Sequence, residues 1–476
     1  MEKQVEVAII GAGTAGLNVM GRVRRAGKSF VMINGGHTGT TCARVGCMPS
    51  KALIQVADDY YRRKMFPRFG IDGSEALKPD LPEVMEYVRE IRDTLVDRVL
   101  GGSIDTLDDE TFIDGYAEFI DANTLKVNDM TVTAENIVIA TGSTPIIPDA
   151  WQAFGDRIIT TDTFFEEETL PQNVAVIGLG VIGLELGQAM ARLGVKVTGV
   201  DMTEILSGLS DPDINQQAKD ILGREFDLWQ GAPAELEEAD GKIRVRAGEN
   251  EIVVDKVLAA MGRRPNLDKL KLENLGVALD AQGVPEYDRT TQRIGDLNVY
   301  IIGDADNEKP ILHEAADDGK IAAFNILAGE SVPFKRKTPL AITFTDPNII
   351  QVGACWKDLD QDNLVVGQIP MGPVGRALTK AKNRGLLKIY AEKHSGKLLG
   401  GAMIGVCGEN IAHLLAWSVQ QEKTVVDLLR MPFYHPVMEE ALQGALRNAL
   451  GKLEMDLPSH VEMERLKAQS YICEVA

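Results

Sequence analysis

The sequence predicts an α/β protein with two dinucleotide-binding units, followed by a C-terminal region of α+β type. The pattern Gly-x-Gly-x-x-Gly occurs twice, at residues 11–16 and 178–183, each time between an apolar run and a helical pattern. This strand–turn–helix context distinguishes a nucleotide-binding fingerprint from a chance match. From about residue 341 the pattern changes to strand-like alternation, which precedes helices after Gly408 and after Glu439. An antiparallel sheet with helices on one side fits this last region.

The first unit begins with an apolar strand at 5–10 and continues through the glycine turn into a helix at 17–26 and a strand at 30–33. In such a turn the first glycine makes the bend, the second admits a pyrophosphate and the third allows close helix–strand packing. The N-terminus of the helix then faces the phosphates. The candidate binding residues of this loop are Gly11, Gly13, Ala15 and Gly16.

The second strand ends at Asn34, where nucleotide-binding units usually carry an acid that holds the ribose. An amide can still form a hydrogen bond with a hydroxyl group, but without the assistance of a charge. The sequence therefore leaves two alternatives open for the adenosine: weaker binding, or binding through other residues.

The stretch between the two units combines helices and short strands. Residues 52–110 have helical patterns, and one helix is expected to begin at Leu81. Residues 112–133 alternate as short strands with turn signals between them, and a further apolar strand follows at 137–140.

The second unit repeats the first: a strand at 174–177, the glycine turn, a helix to about Leu193 and a strand that ends at Asp201. A carboxylate at this position accepts a hydrogen bond from the ribose 2′-hydroxyl and repels a 2′-phosphate. No Lys or Arg occurs from Asp201 through Ala218, so NAD is favoured over NADP. The binding residues expected here are Gly178, Gly180, Gly183 and Asp201.

The composition is that of a globular protein, with 45% hydrophobic and 25% charged residues. A chain of 476 residues is long enough for about three domains. The formal net charge of −20 argues against binding to nucleic acid, and less strongly against binding to anionic membranes. Since no run of 18 apolar residues occurs and the N-terminus enters a strand at once, we expect neither a membrane span nor a targeting peptide.

Cys42 and Cys47 are the most informative of the five cysteines. Five residues of regular helix separate two Cα atoms by about 7.5 Å along the axis, whereas a disulfide needs Cα atoms within about 7 Å. A bond between these residues therefore requires a distorted helix, which Gly46 would allow. Two reduced, buried cysteines or half of a metal site are the alternatives. We expect no metal, because no second Cys/His pair with zinc spacing occurs.

The small, odd number of cysteines is not that of a secreted disulfide framework. A single reactive pair in a reducing compartment is the better interpretation, so we expect a cytoplasmic protein.

The segment from Cys42 to Lys51 closely resembles the active-site signature of the flavin-dependent pyridine nucleotide–disulfide oxidoreductases. The two glycines that usually precede the first cysteine are Gly39 and Thr40 here. The resemblance implies a redox-active disulfide, with Cys42 as the interchange thiol and Cys47 as the sulfur nearest the flavin. It also implies FAD and NAD as cofactors.

The same resemblance implies two Rossmann-like dinucleotide-binding domains, one for FAD and one for NAD, and a C-terminal α+β dimerisation domain. Residues 1–150 are expected to form the first part of the FAD-binding domain and residues 276–340 its second part. The NAD-binding domain is expected at 151–275, and the interface domain at 341–476.

Further segments resemble the flavin-binding parts of the family. They are the strand 137–140 with its turn, the loop 261–266, the strand that ends at Asp304 and the helix that begins near Leu312. The aspartate would bind the ribityl chain, and the helix N-terminus could stabilise negative charge on a reduced flavin. The resemblance thus adds to the cofactor-binding set Thr41, Lys51, Thr141, Gly142, Gly262, Arg263, Asp304, His313 and Ala315.

Two pairs of charged side chains resemble the family's catalytic groups. Glu185 resembles the glutamate that pairs with the lysine after the cysteine motif, here Lys51. His435 and Glu440 resemble the catalytic base and the acid that orients it, although Val437 stands where Thr is more usual. In the family this histidine reaches the disulfide of the other subunit, so a homodimer is implied. Without the resemblance, Glu185 would be a helix-start acid and His435 a structural histidine.

Among the family's activities, the sequence favours oxidation of a dihydrolipoyl group with NAD, partly by elimination. Mercuric reductases and large thioredoxin reductases need a cysteine pair in the C-terminal tail, where this chain has only Cys473. Glutathione reductases are usually NADP-linked, which disagrees with Asp201. Another disulfide or mercuric-ion reductase remains an alternative, as does a redox-inert structural flavoprotein.

The expected partner is the lipoyl domain of a dihydrolipoyl acyltransferase or another lipoyl carrier. The net charge of −20 would suit docking on a basic surface.

Overall fold

A glycine turn follows a central parallel strand and leads into a helix in each of two sheets. The computed structural model describes residues 2–463. The helices are α1 (Thr14–Arg25), α2 (Thr41–Val45), α3 (Cys47–Arg62), α4 (Leu81–Gly101), α5 (Thr161–Phe164), α6 (Val181–Arg192), α7 (Pro212–Leu222), α8 (Leu312–Ala328), α9 (Gly375–Thr379), α10 (Gly408–Gln420), α11 (Val425–Leu429) and α12 (Glu440–Leu450). The strands are β1 (Glu2–Ile10), β2 (Phe30–Asn34), β3 (Phe112–Asp114), β4 (Ala117–Asp121), β5 (Thr124–Val127), β6 (Met130–Ile139), β7 (Ser143–Pro145), β8 (Ile158–Ile159), β9 (Asn173–Ile177), β10 (Lys196–Asp201), β11 (Asp227–Gln230), β12 (Glu235–Ala239), β13 (Lys242–Ala247), β14 (Asn250–Val254), β15 (Lys256–Ala259), β16 (Arg263–Pro265), β17 (Val299–Ile301), β18 (Leu340–Thr343), β19 (Asn348–Gly353), β20 (Leu364–Pro370), β21 (Leu386–Glu392) and β22 (Leu398–Gly405).

The first sheet has the strand order β3-β2-β1-β6-β5-β4, and β17 also pairs with β6. The pairs among β1, β2, β3, β6 and β17 are parallel, whereas β4 and β5 form an antiparallel meander with β6. Because successive strand residues point to opposite faces, Val7 and Ile9 pack with α1 and α8, while Ala8 and Ile10 join the core on the other face. Residues 299–301 thus complete a sheet whose other strands lie within residues 2–139.

The second sheet is parallel throughout, in the order β11-β10-β9-β15-β8. Its apolar strands are buried, as expected for a parallel sheet that is covered on both faces. The antiparallel sheet β12-β13-β14 packs on one side, where Ile243 and Val245 share a core with Ala175 and Val257. Helix α6 follows the second glycine loop, and Leu184 and Leu186 belong to the core on the other side.

The third sheet is antiparallel, in the order β18-β19-β22-β21-β20. Helices α10 and α12 cover one face, where Leu415 and Leu446 pack with Ile389. The other face packs on the second unit, since Tyr390 belongs to the same core cluster as Ile214 of α7. The predicted antiparallel sheet with helices on one side is therefore confirmed.

The predicted elements are present with shifted ends. Helix α1 begins at Thr14, directly after Gly13, rather than at 17. The helix expected at Leu81 runs to Gly101, and helices begin at Gly408 and Glu440 as predicted. The α/β fold class is confirmed, whereas the division of the chain into four sequence ranges stays a prediction.

Candidate active site

Both glycine loops have the geometry expected of nucleotide-binding turns. Gly11 has a φ of +110°, and a Cβ there would clash with the carbonyl oxygen of Ala140. A Cβ on Gly16 would clash with the carbonyl oxygen of Gly11, so this glycine lets α1 pack against the turn. A Cβ on Gly13 would meet nothing within 4 Å, which leaves open the side where a pyrophosphate is expected.

The second loop repeats each of these features. A Cβ on Gly178 would clash with the carbonyl oxygen of Ala260, and one on Gly183 with the carbonyl oxygen of Gly178. A Cβ on Gly180 would again meet nothing within 4 Å. The residues of this loop therefore fit the pyrophosphate of a second dinucleotide.

A cavity of about 500 Å³ opens beside the first loop. The hydroxyl of Thr141 is buried at this cavity and has no hydrogen-bond partner among the described residues. Burying a hydroxyl without a partner costs free energy, so a polar group of a ligand is expected beside it. The predicted residues that line the cavity are Gly11, Gly13, Asn34, Thr41, Thr141, Gly142 and Arg263. The cavity, the open loop and the unpaired hydroxyl fit FAD.

Ser143, which the sequence analysis missed, connects two predicted residues. Its hydroxyl donates to Oδ2 of Asp304 over 2.6 Å and accepts from Nε of Arg263 over 2.7 Å. Gly262, just before this arginine, accepts a hydrogen bond from the backbone N–H of Ile146 over 3.0 Å. These contacts fix the guanidinium of Arg263, which lines the cavity, and connect it through Ser143 to the carboxylate of Asp304.

The start of α8 meets the first loop at Gly303. A Cβ there would lie 3.0 Å from the Cβ of Ala15 and 3.2 Å from that of Ala315. The structure thus brings together two small residues that were both predicted to line the flavin site. His313 is exposed in the first turn of α8.

The side chains at the ends of β2 and β10, Asn34 and Asp201, form hydrogen bonds with the backbone of the glycine loops. Oδ1 of Asn34 accepts from the backbone N–H of Ala12 over 3.1 Å, and its Nδ2 donates to the carbonyl oxygen of Gly36 over 2.8 Å. Oδ2 of Asp201 accepts from the backbone N–H of Leu179 over 2.7 Å. Oδ1 of Asp201 also accepts from the N–H and the hydroxyl of Thr203, over 2.7 and 2.9 Å. An ionised carboxylate has about four acceptor sites, so Asp201 keeps about one for a ribose. Oδ1 of Asn34 also keeps about one, but on a neutral group.

The helical path is broken between the two cysteines. Helix α2 ends at Val45 and α3 begins at Cys47, and Gly46 between them has φ −129° and ψ −117°, outside the helical region. This is the distortion that a bond between Cys42 and Cys47 requires. Thr40, which replaces the second family glycine, has a φ of +65°, and its hydroxyl accepts from the N–H of Ala43 over 3.3 Å.

The two thiols differ strongly in acidity. Both cysteines carry free thiols in the structure. A hydrogen bond from Cys42 and the charge of Lys51 lower the pKa of Cys47 to about 7, against an opposing effect of desolvation. The same hydrogen bond, together with burial, raises the pKa of Cys42. The thiolate of the reduced pair therefore forms more readily on Cys47 than on Cys42.

The predicted pair Lys51 and Glu185 is in contact. Nζ of Lys51 lies 2.7 Å from Oε2 of Glu185, whose side chain is only 4% exposed. The other carboxylate oxygen accepts from the backbone N–H of Phe344 over 2.8 Å, and the lysine lies 4.6 Å above the phenyl ring. Glu185 itself acts to raise the pKa of Cys47, so the two charges oppose each other at the thiol. No pattern in the sequence indicated that Phe344 would contact this ion pair.

His435 and Glu440 also form the predicted pair. Nδ1 of His435 lies 2.9 Å from Oε1 of Glu440, and the backbone N–H of Val437 donates to Oε2 over 3.1 Å. When Nδ1 donates to the carboxylate, Nε2 is free to accept a proton. The histidine side chain is 81% exposed. Within residues 2–463, no hydrogen bond or ion pair joins it to a cysteine of the same chain.

A buried charge cluster behind the cysteine helix was not predicted. Arg192, on the same face of α6 as Glu185, donates to Asp58, Glu225 and Asp346. Lys382 also donates to Asp346, over 2.8 Å. Burial, and then the charge of Asp346, raise the pKa of Asp58 to about 6. In the sequence Arg192 is an ordinary cation in the last turn of a helix.

The fold and these side chains define a protein that binds two dinucleotides and carries a cysteine pair beside the first of them. Residues 5–319 match the family described as pyridine nucleotide-disulphide oxidoreductase, and residues 340–446 match its dimerisation domain. The chain belongs to the pyridine nucleotide–disulfide oxidoreductase family.

Named relatives and a solved structure are similar over nearly the whole chain. The dihydrolipoyl dehydrogenase of Haloferax volcanii is 31% identical over 467 residues, which cover 94% of this chain and 96% of that protein. The dihydrolipoyl dehydrogenase of Geobacillus stearothermophilus is 30% identical over 463 residues, covering 94% and 97%. The Cu(II) complex of the HOCl-induced flavoprotein disulfide reductase RclA from Escherichia coli has a TM-score of 0.82 and 23% identity, covering 94% and 99%. This last likeness concerns the fold alone.

Membership of the family confirms the predicted cofactors, FAD and NAD(H), and the predicted oxidoreductase class. The match to a dimerisation domain supports a homodimer. No helix between residues 2 and 463 has both the length and the apolar character needed to cross a membrane. The same residues contain no group of three or more His, Cys, Asp or Glu arranged to hold a metal ion. Cys473 lies outside the described residues.

Proposed function

We propose that the protein oxidises a dihydrolipoyl group to lipoyl, with NAD⁺ as the electron acceptor, through a disulfide between Cys42 and Cys47. The observation that carries this proposal is the arrangement of Cys42 and Cys47 on either side of the break at Gly46, beside the ion pair of Lys51 and Glu185. A hydrogen bond from Cys42 and the charge of Lys51 lower the pKa of Cys47. In thiol–disulfide exchange the sulfur of lower pKa is the better leaving group. A substrate thiolate therefore attacks Cys42 and expels Cys47. The names of relatives that are about 30% identical support this substrate.

His435 acts as the base in this proposal. Only a thiolate is nucleophilic, so the substrate thiol must lose a proton before it attacks. Nε2 of His435 takes that proton, while Glu440 orients the ring through Nδ1 and stabilises its positive charge. In this proposal the histidine that serves each site comes from the partner subunit, and the match of residues 340–446 to a dimerisation domain supports this.

The electrons balance over two exchange steps. The first substrate thiolate forms a bond with Sγ of Cys42 as the Cys42–Cys47 bond breaks. The second substrate thiol loses its proton and, as the thiolate, attacks the substrate sulfur of the mixed disulfide, which releases cyclic lipoyl and Cys42. Cys42 leaves with the proton held by His435, and Cys47 remains a thiolate. The second substrate proton goes to solvent, and the cysteine pair has gained two electrons.

The cofactor sites follow the four sequence ranges. Residues 1–150 and 276–340 would form the FAD-binding domain, with Thr41, Thr141 and Asp304 as binding residues. Residues 151–275 would hold NAD at the second glycine loop and Asp201, and residues 341–476 would form the interface domain. When bound, FAD supplies two-electron transfer between the cysteine pair and the nicotinamide. Lys51, held by Glu185, places a positive charge beside the Cys47 thiolate.

The partner proposed for this activity is the lipoyl domain of a dihydrolipoyl acyltransferase or another lipoyl carrier. Free dihydrolipoamide presents the same dithiol and is the probe for the first test.

The test is NADH formation by the purified protein with dihydrolipoamide and NAD⁺, with NADP⁺ in a parallel assay. We expect turnover with NAD⁺ and little with NADP⁺, because Asp201 repels a 2′-phosphate. The variant Cys47→Ser should be inactive. Turnover of this variant at the wild-type rate would exclude the proposed circuit. If dihydrolipoamide is not oxidised while NADH still reduces the bound flavin, the substrate is another disulfide or a metal ion.

A further inference from the structure

One arginine of the FAD cavity has no partner in the protein. Arg44, Arg263 and Arg264 all line this cavity. Arg263 donates to Ser143, and Arg264 forms an ion pair with Asp268 over 2.9 Å. Arg44 is half-buried, yet its side chain has no ion pair or hydrogen bond with any residue between 2 and 463. Its charge is therefore available to a ligand.

The position of Arg44 on α2 places it at the FAD cavity, and the charge that acts on the Cys47 thiol comes from another residue. Side chains three and four residues apart lie on the same face of a helix, and Thr41, Arg44 and Val45 all line the cavity. The cation that lowers the pKa of Cys47 is Lys51, which lies on α3.

Lys269 also lines the cavity without a carboxylate partner. Its Nζ, however, lies 4.5 Å above the ring of Tyr116, which already stabilises the charge. Arg44 has no such aromatic contact within the described residues. A half-buried guanidinium without a partner is costly unless an anion neutralises it.

The strand end beside the same loop provides little charge for holding the adenosine half of FAD. Asn34 is neutral, and its amide already bonds to the N–H of Ala12 and the carbonyl of Gly36. The group of FAD that can use an arginine is its pyrophosphate, which the open side of Gly13 admits.

We propose that Arg44 binds the pyrophosphate of FAD. This interaction compensates for the ribose, which the neutral Asn34 binds only weakly. The guanidinium donates charge-assisted hydrogen bonds to phosphate oxygens in the fork geometry that suits arginine. Retention of FAD by this chain therefore depends on an ion pair, and it weakens as salt screens the charges.

The test compares the holoenzyme with the variants Arg44→Gln, Arg44→Lys and Arg264→Gln. Each protein is diluted serially at about 50 mM and about 500 mM NaCl, where screening differs strongly, and the FAD released is read by its fluorescence. We expect Arg44→Gln to raise the dissociation constant of FAD at low salt by about tenfold or more, because a charged hydrogen-bond partner is lost. Its salt dependence should be flatter than that of the wild type.

Arg264→Gln is the matched control, since this arginine lines the same cavity but is paired with Asp268. We expect it to retain FAD as the wild type does. Phosphorus NMR of bound FAD gives a second readout, because the pyrophosphate resonances should move in Arg44→Gln and stay in place in Arg264→Gln. A structural role of Arg44 would not move them.

Arg44→Lys keeps the charge but not the planar fork. It should bind FAD more weakly than the wild type and keep the salt dependence, and it decides the test if Arg44→Gln does not fold. Two results would overturn the proposal: wild-type affinity and salt dependence in Arg44→Gln, or a loss of the salt dependence in Arg44→Lys.

Discussion

At the scale of single residues, two opposite charges act on the Cys47 thiol in addition to the hydrogen bond from Cys42, which lowers its pKa most. The charge of Lys51 lowers the pKa of this thiol, and the charge of Glu185 raises it. The two side chains also contact each other over 2.7 Å. The acidity of Cys47 therefore reflects a balance that can be moved in either direction by one substitution.

We predict that Lys51→Met raises the pKa of Cys47 above its value of about 7, and that Glu185→Gln lowers it. The measurement is the pH dependence of alkylation of the reduced enzyme by iodoacetamide, with the modified residue identified by mass spectrometry. At neutral pH, alkylation of Cys47 should become slower in the first variant and faster in the second, because the thiolate is the reactive form.

Lys64→Met is the control for this pair, since this lysine lies just beyond the same helix, over the ring of Tyr61. Its pH profile should match that of the wild type. Shifts of the same sign in the Lys51 and Glu185 variants would contradict the electrostatic explanation.

Single residues were predictable where their spacing in the chain carried the signal. Cys42 and Cys47 lie five residues apart and were a candidate pair from their spacing. His435 with Glu440 was a candidate pair only through the resemblance to the family, as was Lys51 with Glu185. Ser143 and Phe344 were not candidates, because their bonds to Asp304 and Glu185 span 161 and 159 residues. Such contacts depend on how the units pack, and no local pattern records them.

At the scale of elements, α6 connects the cysteine helix to the third sheet. Glu185 bonds to Lys51 of α3, and Gln188 exchanges hydrogen bonds with the backbone of Asp346 over 2.8 and 3.0 Å. Arg192 reaches both Asp58 of α3 and the side chain of Asp346. The helix that follows the NAD loop thus fixes the cysteine helix against the loop between β18 and β19.

This connection contains more negative than positive charge. Three carboxylates, those of Asp58, Glu225 and Asp346, meet Arg192 and Lys382. The pKa of Asp58 is raised from 3.8 to about 6, mainly by burial. The folded state therefore binds the Asp58 proton more tightly than the unfolded state, and the ionised carboxylate costs stability above pH 6.

We predict that Asp58→Asn raises the thermal unfolding temperature at pH 8, because the amide removes a charge whose burial costs about 2–3 kcal/mol at most. The gain should shrink as the pH falls through about 6 and should be absent near pH 4, where Asp58 is protonated in the folded wild type as well. Scans at several pH values measure it. A loss of stability that grows as the pH rises would show instead that the carboxylate stabilises the junction.

Arg192→Met is the contrasting substitution at the same junction. It leaves three carboxylates with one cation, and breaking a buried charge pair costs about 3–5 kcal/mol. The unfolding temperature should fall at pH 8. Arg246→Met, which removes an exposed arginine paired with Glu237 and Glu251, should stay close to the wild type.

The elements themselves were largely predictable, because each glycine loop lies between a strand and a helix that are adjacent in the chain. The junction around Arg192 was not, since four of its five side chains lie on other segments of the chain. The break at Gly46 was expected only if the two cysteines form a disulfide. The structure has this break although both thiols are free.

At the scale of the whole molecule, the C-terminal region exposes two large aromatic side chains. Trp417 of α10 is 65% exposed and Tyr434 is 80% exposed. Large aromatic side chains are enriched in protein interfaces, and this region matches a dimerisation domain. The two nucleotide-binding units and the antiparallel sheet after them were predicted from the sequence patterns, but the place of His435 relative to a second chain could not be inferred from spacing.

We predict that two inactive variants, Cys47→Ser and His435→Gln, restore activity when their subunits are mixed. If each site takes its cysteines from one subunit and His435 from the other, the mixed dimer has one intact site and one site with both defects. One of its two sites is intact, so the isolated mixed dimer should have about half of the dihydrolipoamide oxidation of the wild-type dimer. Subunits are exchanged by co-expression with two affinity tags, and the doubly tagged dimer is then assayed.

The control dimer, in which one subunit carries both substitutions and the other is wild type, has one defect in each site and should be inactive. If His435 instead served its own chain, the mixed dimer would be inactive and the control dimer would keep about half of the wild-type activity.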